Sequence, residues 1–303
     1  MGVLSEQRLW VVSGKGGVGK STVTAALALA SARQGHRTLV CEINVQERIS
    51  AFLERPEVGP EIRQLDPNLF AVNVRPEEAM REYALMIVRF ERVYRTVFEN
   101  RLVKYFLRFI PSLQELVLLG KVLFHLQEKT ADGRWKWDRI IMDAPATGHA
   151  ITFLNVPQVI LDTVPPGPMA TQAERMRDLL TDPQTTAAIL VTLPEEMPVN
   201  ETVDLYRAMG RQLQIHPRAV VLNMYVGDRF GAGDLEQVPA SLRDLVRDHM
   251  CREELSAKAR ARLEAELELP VIAVPRLFDR SIGRRTMETV AGHLSPLWEG
   301  SAS

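Results

Sequence analysis

Short apolar runs rich in β-branched residues alternate along the chain with longer segments of helical periodicity. The runs predict strands at 8–13, 37–43, 69–74, 137–143, 187–193, 218–224 and 269–275. Most of them are followed by turn residues and then by a segment of helical length. Continuous apolar strands that alternate with helices are typical of a parallel sheet covered on both faces. We therefore expect a doubly wound, mostly parallel α/β fold whose ligands bind at the carboxyl ends of the strands.

Two segments interrupt this alternation. Residues 76–130 form a helical insertion, and 226–240 form a glycine-rich loop. The apolar side chains before Pro111 recur mainly every three or four positions, at Tyr83, Ile87, Phe90, Tyr94, Phe98, Leu102, Tyr105 and Phe109. Such a stripe is typical of a helix that packs on a core. An exposed surface for a protein partner or client helix is the alternative.

Length and composition narrow the class of protein. Without an internal repeat or a low-complexity linker, the 303 residues are expected to form one domain, 1–303. A net charge of -1 argues against nucleic acid as a partner. Cys41 and Cys251 lie far apart, so a disulfide framework or a cysteine zinc site is not expected. Since no continuous apolar run reaches ~18 residues, we expect a cytoplasmic protein without an integral membrane segment.

A glycine-rich segment follows the first predicted strand. Gly14, Gly19, Lys20 and Ser21 complete the P-loop pattern G-x-x-x-x-G-K-S/T, and a helical pattern rich in alanine and leucine follows it. The glycines let backbone N–H groups converge on phosphate oxygens at a helix N-terminus. Lys20 then reaches the β- and γ-phosphates, and the Ser21 hydroxyl ligates Mg²⁺ directly. We assign nucleotide binding to Gly14, Lys15, Gly16, Gly17, Val18, Gly19, Lys20, Ser21 and Thr22.

Lys15 distinguishes this loop from an ordinary P-loop. The segment "GKGGVGKST" resembles the deviant loop of the ATPases that include MinD, ParA and the arsenite-pump ATPase. In that group the extra lysine reaches across a dimer interface to the phosphates of the partner's nucleotide. The resemblance implies that Lys15 and Lys20 are both catalytic, the first for the neighbouring protomer and the second for its own. It also implies that the active unit is a dimer.

A second polar segment follows the strand predicted at 137–143. Asp143 ends the apolar run "RIIMD", where a carboxylate holds Mg²⁺ through one of its waters during catalysis. Pro145, Thr147 and Gly148 follow in a predicted turn, and such a turn can move when a γ-phosphate is present. We therefore expect this segment to act as a nucleotide-dependent switch.

The same segment, "DAPATGHAITFLNVP", resembles that of the arsenite-pump and tail-anchored-protein-targeting ATPases, which form the ArsA-like family. Three further segments fit this family as well: "IPSLQELVLL", "LLTDPQTTAAILVTLPEEMPVNET" and "VVLNMYVGDRF". The similarity is clearest over 8–55 and 105–225. The resemblance implies Mg·ATP hydrolysis coupled to the opening and closing of a dimer, with output to a protein partner. It assigns switch roles to Asn44, Asp143, Pro145, Thr147, Gly148 and His149. For His149 a helix-start or packing role is the alternative.

The base is expected to be adenine. Asn223 ends a strand where this family contacts adenine, and the guanine signature N-K-x-D is replaced by "NMYVG". "VPRLFDR" follows the last strand, so the resemblance places Pro275 and Arg276 on the adenine side. A plain turn role for Asn223 stays open.

The sequence departs from the family at the first switch. Aligned on "LVCE" and "AF", Asn44 stands where the family has an aspartate that orients the attacking water. An amide hydrogen-bonds a water but does not accept its proton. Because this chemistry depends mainly on positioning and electrostatics, we predict intact ATP binding and weak hydrolysis. Glu42, Gln46 and Glu47 are nearby substitutes.

These departures leave three functions open. The first is a dimeric switch ATPase, as a homodimer or as a heterodimer with a paralogue. The second is a hydrolysis-poor, ATP-binding subunit that pairs with an active paralogue. The third, a MinD- or ParA-like positioning ATPase, is disfavoured because no basic amphipathic helix is evident near the end of the sequence. Metalloid transport and a zinc-joined dimer are also disfavoured, since Cys41 and Cys251 do not supply the family's cysteine sets.

Overall fold

An eight-stranded sheet forms the centre of the protein. The computed structural model describes residues 4, 6–43, 46–88, 112–231, 233–279 and 281–298. The strand order is β3-β4-β2-β5-β1-β6-β7-β8. The strands are β1 (Leu9–Gly14), β2 (Thr38–Ile43), β3 (Arg63–Asp66), β4 (Leu69–Val74), β5 (Arg139–Asp143), β6 (Thr186–Thr192), β7 (Pro217–Tyr225) and β8 (Val271–Pro275). All paired strands are parallel except β3 and β4, which confirms the predicted mostly parallel sheet.

The strand missed by the sequence pattern is β3. It has four residues, lies at the edge of the sheet and pairs antiparallel with β4. Only Leu65 of this strand is fully buried, whereas Arg63 and Gln64 are exposed. A short polar edge strand carries no apolar periodicity, and its pairing with β4 alone makes it a strand.

Helices cover both faces of the sheet. They are α1 (Lys20–Arg33), α2 (Ile49–Phe52), α3 (Pro76–Val88), α4 (Leu113–Gln127), α5 (Thr147–Thr163), α6 (Pro168–Thr181), α7 (Glu196–Ala208), α8 (Asp234–Gln237), α9 (Arg243–Leu267) and α10 (Arg284–His293). A π-helical turn, Met209–Leu213, continues α7, and α8 lies within the segment predicted as a glycine-rich loop. In the described parts of the chain, no helix combines the length and apolar character needed to cross a bilayer.

The sheet separates two hydrophobic cores. Alternate residues of β1 face opposite sides: Leu9 and Val11 belong to one core, Trp10 and Val12 to the other. The first core is closed by α4, α5, α6, α7 and α9, and the second by α1, α2 and α10. Burial on both faces explains why β1 reads as an unbroken apolar run in the sequence.

The helical insertion is described at its two ends. Helix α4, which follows Pro111, buries Leu116, Leu119 and Leu123 in the first core. Residues 89–111 lie outside the described residues, and the side chains of Tyr83 and Ile87 are not described either. For the apolar stripe itself, both interpretations therefore remain predictions.

The carboxyl edge of the sheet gathers most of the predicted site residues. Asp143 at the end of β5 lies beside Glu42 of β2 in the strand register. Gly14 at the end of β1 lies beside Val191 of β6. Strand β7 is next to β6 and carries Asn223 near its own carboxyl end. Polar residues from distant parts of the sequence thus meet at one edge, where α/β sheets bind ligands.

Candidate functional site

The glycine-rich loop connects β1 to α1 and has the backbone that its sequence predicts. Gly14 has φ of 153°, and a Cβ at this position would overlap the carbonyl oxygen of Val191. Gly16 and Gly17 are exposed, whereas Val18 is buried beneath the loop. Lys20 begins α1, so the free N–H groups of the first helical turn, including those of Ser21 and Thr22, lie at the end of the loop.

Lys20 lies back over the loop that precedes it. Its Nζ donates to the carbonyl oxygen of Lys15 at 3.1 Å. Burial lowers the pKa of the Lys20 ammonium, while the charge of Asp143 raises it. The ammonium is therefore partly withdrawn from water and close to a carboxylate, as suits a group that exchanges its acceptors for phosphate oxygens.

Ser21 and Asp143 form the second polar contact of the loop. The Ser21 Oγ donates to Asp143 Oδ2 at 2.6 Å. The other carboxylate oxygen, Oδ1, is buried without a hydrogen-bond partner. Burial raises the pKa of the Asp143 carboxyl, and the Ser21 hydrogen bond and the charge of Lys20 oppose that rise. An unpartnered carboxylate oxygen beside a hydroxyl is an oxygen donor set that fits Mg²⁺.

Glu42 supplies a second buried carboxyl next to Asp143. Its Oε1 accepts hydrogen bonds from the backbone N–H of Arg48 at 2.8 Å and of Ile49 at 3.3 Å, at the start of α2. Its Oε2 is buried without a partner. Burial raises the pKa of the Glu42 carboxyl to about 7, and the neighbouring charge of Asp143 adds to the rise. Two buried carboxyl groups therefore lie side by side at the carboxyl edge of the sheet.

The first switch is described on both sides of its central residue. Asn44 lies outside the described residues, so the expected loss of the water-orienting carboxylate stays a prediction. Of the three substitutes, Gln46 is exposed and Glu47 accepts from the N–H groups of Val58 and Gly59, each at 2.6 Å. Glu42 is the one that shares the strand register of Asp143.

The segment after Asp143 lies next to the end of β1 and the glycine-rich loop. The backbone N–H of Ala144 donates to the Val12 carbonyl at 3.0 Å, and a Cβ on Gly16 would lie 3.9 Å from the Cβ of Ala146. Residues predicted as a turn begin a helix instead, because α5 starts at Thr147. Pro145 is half-buried before it, Gly148 follows in its first turn, and the His149 side chain is exposed. The side chain of Thr147 is not described.

Lys15 is engaged with a different element from Lys20. Its Nζ lies 2.8 Å from Oε1 of Glu201 in α7, and the two side chains are 30% and 34% exposed. Glu201 makes a further interaction as well. The two lysines of the loop thus have different partners within the protomer: Lys20 binds the loop backbone and Lys15 binds α7.

The opposite end of the loop meets β7 and β8. Asn223 is 6% exposed, and its Nδ2 donates to the Val18 carbonyl at 2.9 Å. Next to it opens a cleft of about 370 Å³, lined by Leu193, Pro194, Glu195, Met224, Val226, Arg252, Leu255 and Arg276. Pro275 ends β8, and Arg276 is exposed with its backbone N–H donating to Tyr225 at 2.9 Å. The three residues predicted for the adenine side therefore lie together at this edge.

A family comparison agrees with this geometry. The sequence matches the ArsA ATPase model, a family described as anion-transporting ATPase, over residues 7–165 and 167–236. The chain belongs to the ArsA ATPase family. The resemblance inferred from the loop and from the segment after Asp143 is thereby confirmed. Family membership supports ATPase activity and nucleotide binding in general terms.

Three proteins similar to this chain come from a bacterium, a plant and an alga. The chain is 30% identical to the ATPase BagA of Mycobacterium tuberculosis over 239 residues, which cover 77% of this chain and 69% of that protein. It is 23% identical to the ATPase GET3B of Arabidopsis thaliana over 329 residues, covering 90% and 77%. It is 26% identical to the ATPase ARSA1 of Chlamydomonas reinhardtii over 285 residues, covering 75% and 36%. All three carry the name ATPase.

Two features of this ArsA ATPase-family site escape sequence reasoning. Glu201 lies in the segment "LLTDPQTTAAILVTLPEEMPVNET", which also fits the family, but that fit does not indicate a contact between Glu201 and Lys15. Arg48 is exposed, yet its charge acts on the pKa values of both Lys20 and Asp143. Arg48 follows Asn44 of the first switch by four residues, which places it near the site in the sequence. Its electrostatic effect on Lys20 and Asp143, however, depends on the fold.

Proposed function

We propose that this chain binds and hydrolyses Mg·ATP. The observation that carries the proposal is the Ser21–Asp143 hydrogen bond with an unpartnered, buried Asp143 Oδ1, beside Lys20. Ser21 would ligate Mg²⁺ directly and Asp143 would do so through a water. When bound, Mg²⁺ neutralises charge on the β- and γ-phosphate oxygens. The amides of 14–22 bind the phosphates, and Lys20 gives its ammonium to them in place of the Lys15 carbonyl.

The base is bound on the other side of the loop. Asn223, Pro275 and Arg276 border or lie next to a cleft with apolar and arginine side chains, which suits an adenine ring. The absence of the guanine signature supports ATP over GTP. All these residues belong to one domain, 1–303, with the insertion 76–130 as part of it.

Dimer closure is the proposed output. Within the protomer Lys15 is paired with Glu201. On closure Lys15 exchanges this carboxylate for the phosphates of the partner's nucleotide, as the family resemblance implies. The dimer is formed by two copies or by this chain and a paralogue, and the helices of 76–130 are the proposed surface for a protein partner or client.

A second candidate is an ATP-binding subunit with poor hydrolysis. Asn44 favours it, because the amide does not accept a proton from the attacking water. In that case binding and dimer closure persist while turnover depends on a paralogue. Glu42, as the remaining carboxyl beside Asp143, is the group on which residual hydrolysis would depend.

Equilibrium binding and single-turnover hydrolysis separate the two candidates. We expect Mg·ATP to bind wild type and to bind Lys20→Ala much more weakly. A non-hydrolysable ATP analogue should produce a dimer of wild type in sedimentation. Asn44→Asp should raise the hydrolysis rate without changing affinity. A normal turnover rate that Asn44→Ala leaves unchanged would remove the second candidate, and failure of wild type to bind Mg·ATP would remove both.

The client surface needs its own measurement. An apolar dye or a client helix should lose its signal when the dimer closes on the non-hydrolysable analogue. A surface inert in both states would leave the helices of 76–130 without this role.

A further inference from the structure

Asn223 contacts the phosphate loop directly. It lies in β7, two strands away from β1, so the loop reaches across β6 to meet it. Its Nδ2 donates to the Val18 carbonyl at 2.9 Å, joining residues that are 205 positions apart. Both residues are buried, with Val18 1% and Asn223 6% exposed. A buried carbonyl that loses its donor bears the cost of desolvation, so this hydrogen bond constrains the loop.

The last glycine of the loop is shaped to this contact. Gly19 follows Val18 and has φ of 92°, a backbone conformation that residues other than glycine rarely adopt. A Cβ on Gly19 would overlap Asn223 Nδ2. The position before Lys20 therefore accommodates the amide on one side while its backbone turns into α1. Removing the amide leaves space at the point where the loop becomes a helix and where phosphate-binding N–H groups begin.

The residue that follows Asn223 belongs to the other half of the site. Met224 has φ of 55° and its exposed side chain lines the cleft with Arg276. Asn223 thus lies at the junction of the phosphate loop and the proposed base cleft. If Asn223 contacted only adenine, its side chain would have no effect on the conformation of the loop. The hydrogen bond to the Val18 carbonyl links the Asn223 side chain to the loop directly.

We propose that Asn223 is a positioning residue for the phosphate loop, acting through the Val18 carbonyl and the space left by Gly19, whether or not a base is bound. The inference rests on the proposed nucleotide function of the same loop. It differs from an adenine contact in one consequence: Asn223 affects the binding of ligands that contain phosphates but no base.

The test compares Mg·ATP with Mg·tripolyphosphate, which has no base, by calorimetry. We expect Asn223→Ala to weaken both ligands by a similar factor, about tenfold, because the loss acts on the loop they share. Met224→Ala is the matched neighbour: it alters the cleft without touching the loop, so it should change tripolyphosphate affinity less than twofold. Amide hydrogen exchange of residues 15–22 should accelerate in Asn223→Ala, with β6 and β7 unchanged.

Three results would overturn the inference. These are a loss confined to ATP, an unchanged affinity for both ligands, or exchange that rises equally across the sheet. If Asn223→Ala fails to fold, Asn223→Leu carries the same comparison, since it roughly keeps the volume and removes the donor without adding a charge. If wild type binds neither ligand, the proposed nucleotide function itself is wrong. If wild type binds both ligands and the Asn223 variants give one of the three results above, only the role of Asn223 is wrong.

Discussion

The two halves of the carboxyl edge are built differently. In the phosphate half, Glu42 and Asp143 are 1% and 5% exposed, and backbone or hydroxyl groups hold one oxygen of each. In the base half, Met224 and Leu255, which line the open cleft, are 46% and 52% exposed. Phosphate binding requires fixed N–H groups and charges, which only a rigid backbone supplies. A flat aromatic base needs apolar surface, which loosely held side chains can provide.

The largest loss of stability is predicted for a substitution in the phosphate half, at Gly14. A Cβ there would overlap a backbone oxygen that has no freedom to move, at a φ of 153°. We expect Gly14→Ala to lower the free energy of unfolding by about 4 kcal/mol, from steric overlap and backbone strain together. Urea denaturation without nucleotide measures it.

Gly17→Ala is the control in the same loop. Its φ is 86°, but nothing lies within 4 Å of a Cβ at this position. The loss should stay near the ~1–2 kcal/mol of a left-handed residue. Equal losses at Gly14 and Gly17 would show that the overlap with Val191 is not decisive.

Glu42→Gln is predicted to change the pH dependence of the free energy of unfolding, by about 3 kcal/mol between acidic and alkaline pH. Its pKa in the folded protein is raised to about 7, mainly by burial, so the folded state keeps a proton that the unfolded chain has released. Stability should therefore fall as pH rises from the ordinary glutamate range to about 7, and then level off. Glu42→Gln retains the acceptor oxygen and removes the charge, so it should match wild type at pH 5 and exceed it at pH 8 by about 3 kcal/mol.

Unfolding curves of both proteins from pH 4 to pH 8.5 make this measurement. Burial also raises the pKa of Asp143, so the stability of both proteins should fall somewhat as pH rises. The difference between the two curves therefore isolates the contribution of Glu42. Curves that stay parallel over this range would contradict the buried, protonated state of Glu42.

Lys15 and Lys20 sharpen the comparison within one loop. Lys20→Ala removes a charge-assisted phosphate contact, so ATP affinity should fall by about thirtyfold, or about 2 kcal/mol. Lys15→Ala should leave the affinity of a single protomer within about threefold, because Lys15 is engaged with α7. It should abolish the dimer induced by a non-hydrolysable analogue. Calorimetry measures the ATP affinity of both variants, and sedimentation measures the dimer. Equal losses of ATP affinity in Lys15→Ala and Lys20→Ala would assign both lysines to the same nucleotide.

The smallest effects are expected at the border and in the base half. The Lys15–Glu201 pair is partly exposed, so Glu201→Gln should change the unfolding free energy by less than about 0.5 kcal/mol. It should nevertheless raise the fraction of nucleotide-bound dimer, since Lys15 is freed. Met224→Ala should also stay within about 0.5 kcal/mol, in contrast to Gly14→Ala. A large loss at Met224 would mean that the base half is as rigid as the phosphate half.

The sequence by itself determines the strands buried on both faces and the loop between β1 and α1. These are local features: an apolar run or a glycine spacing carries its own structure, so the predicted strand ends differ from the observed ones by at most two residues. Asp143 at the end of β5 was predictable for the same reason.

The tertiary structure alone decides which groups meet at the edge. Glu42 lies beside Asp143 because β2 and β5 are neighbours although about a hundred residues separate them. The contacts of Lys15 with Glu201 and of Val18 with Asn223 likewise join residues far apart in sequence. Edge strand β3 exists only through pairing with β4. Such contacts leave no periodicity in the chain, because they arise from the order of strands in the sheet and not from any one segment.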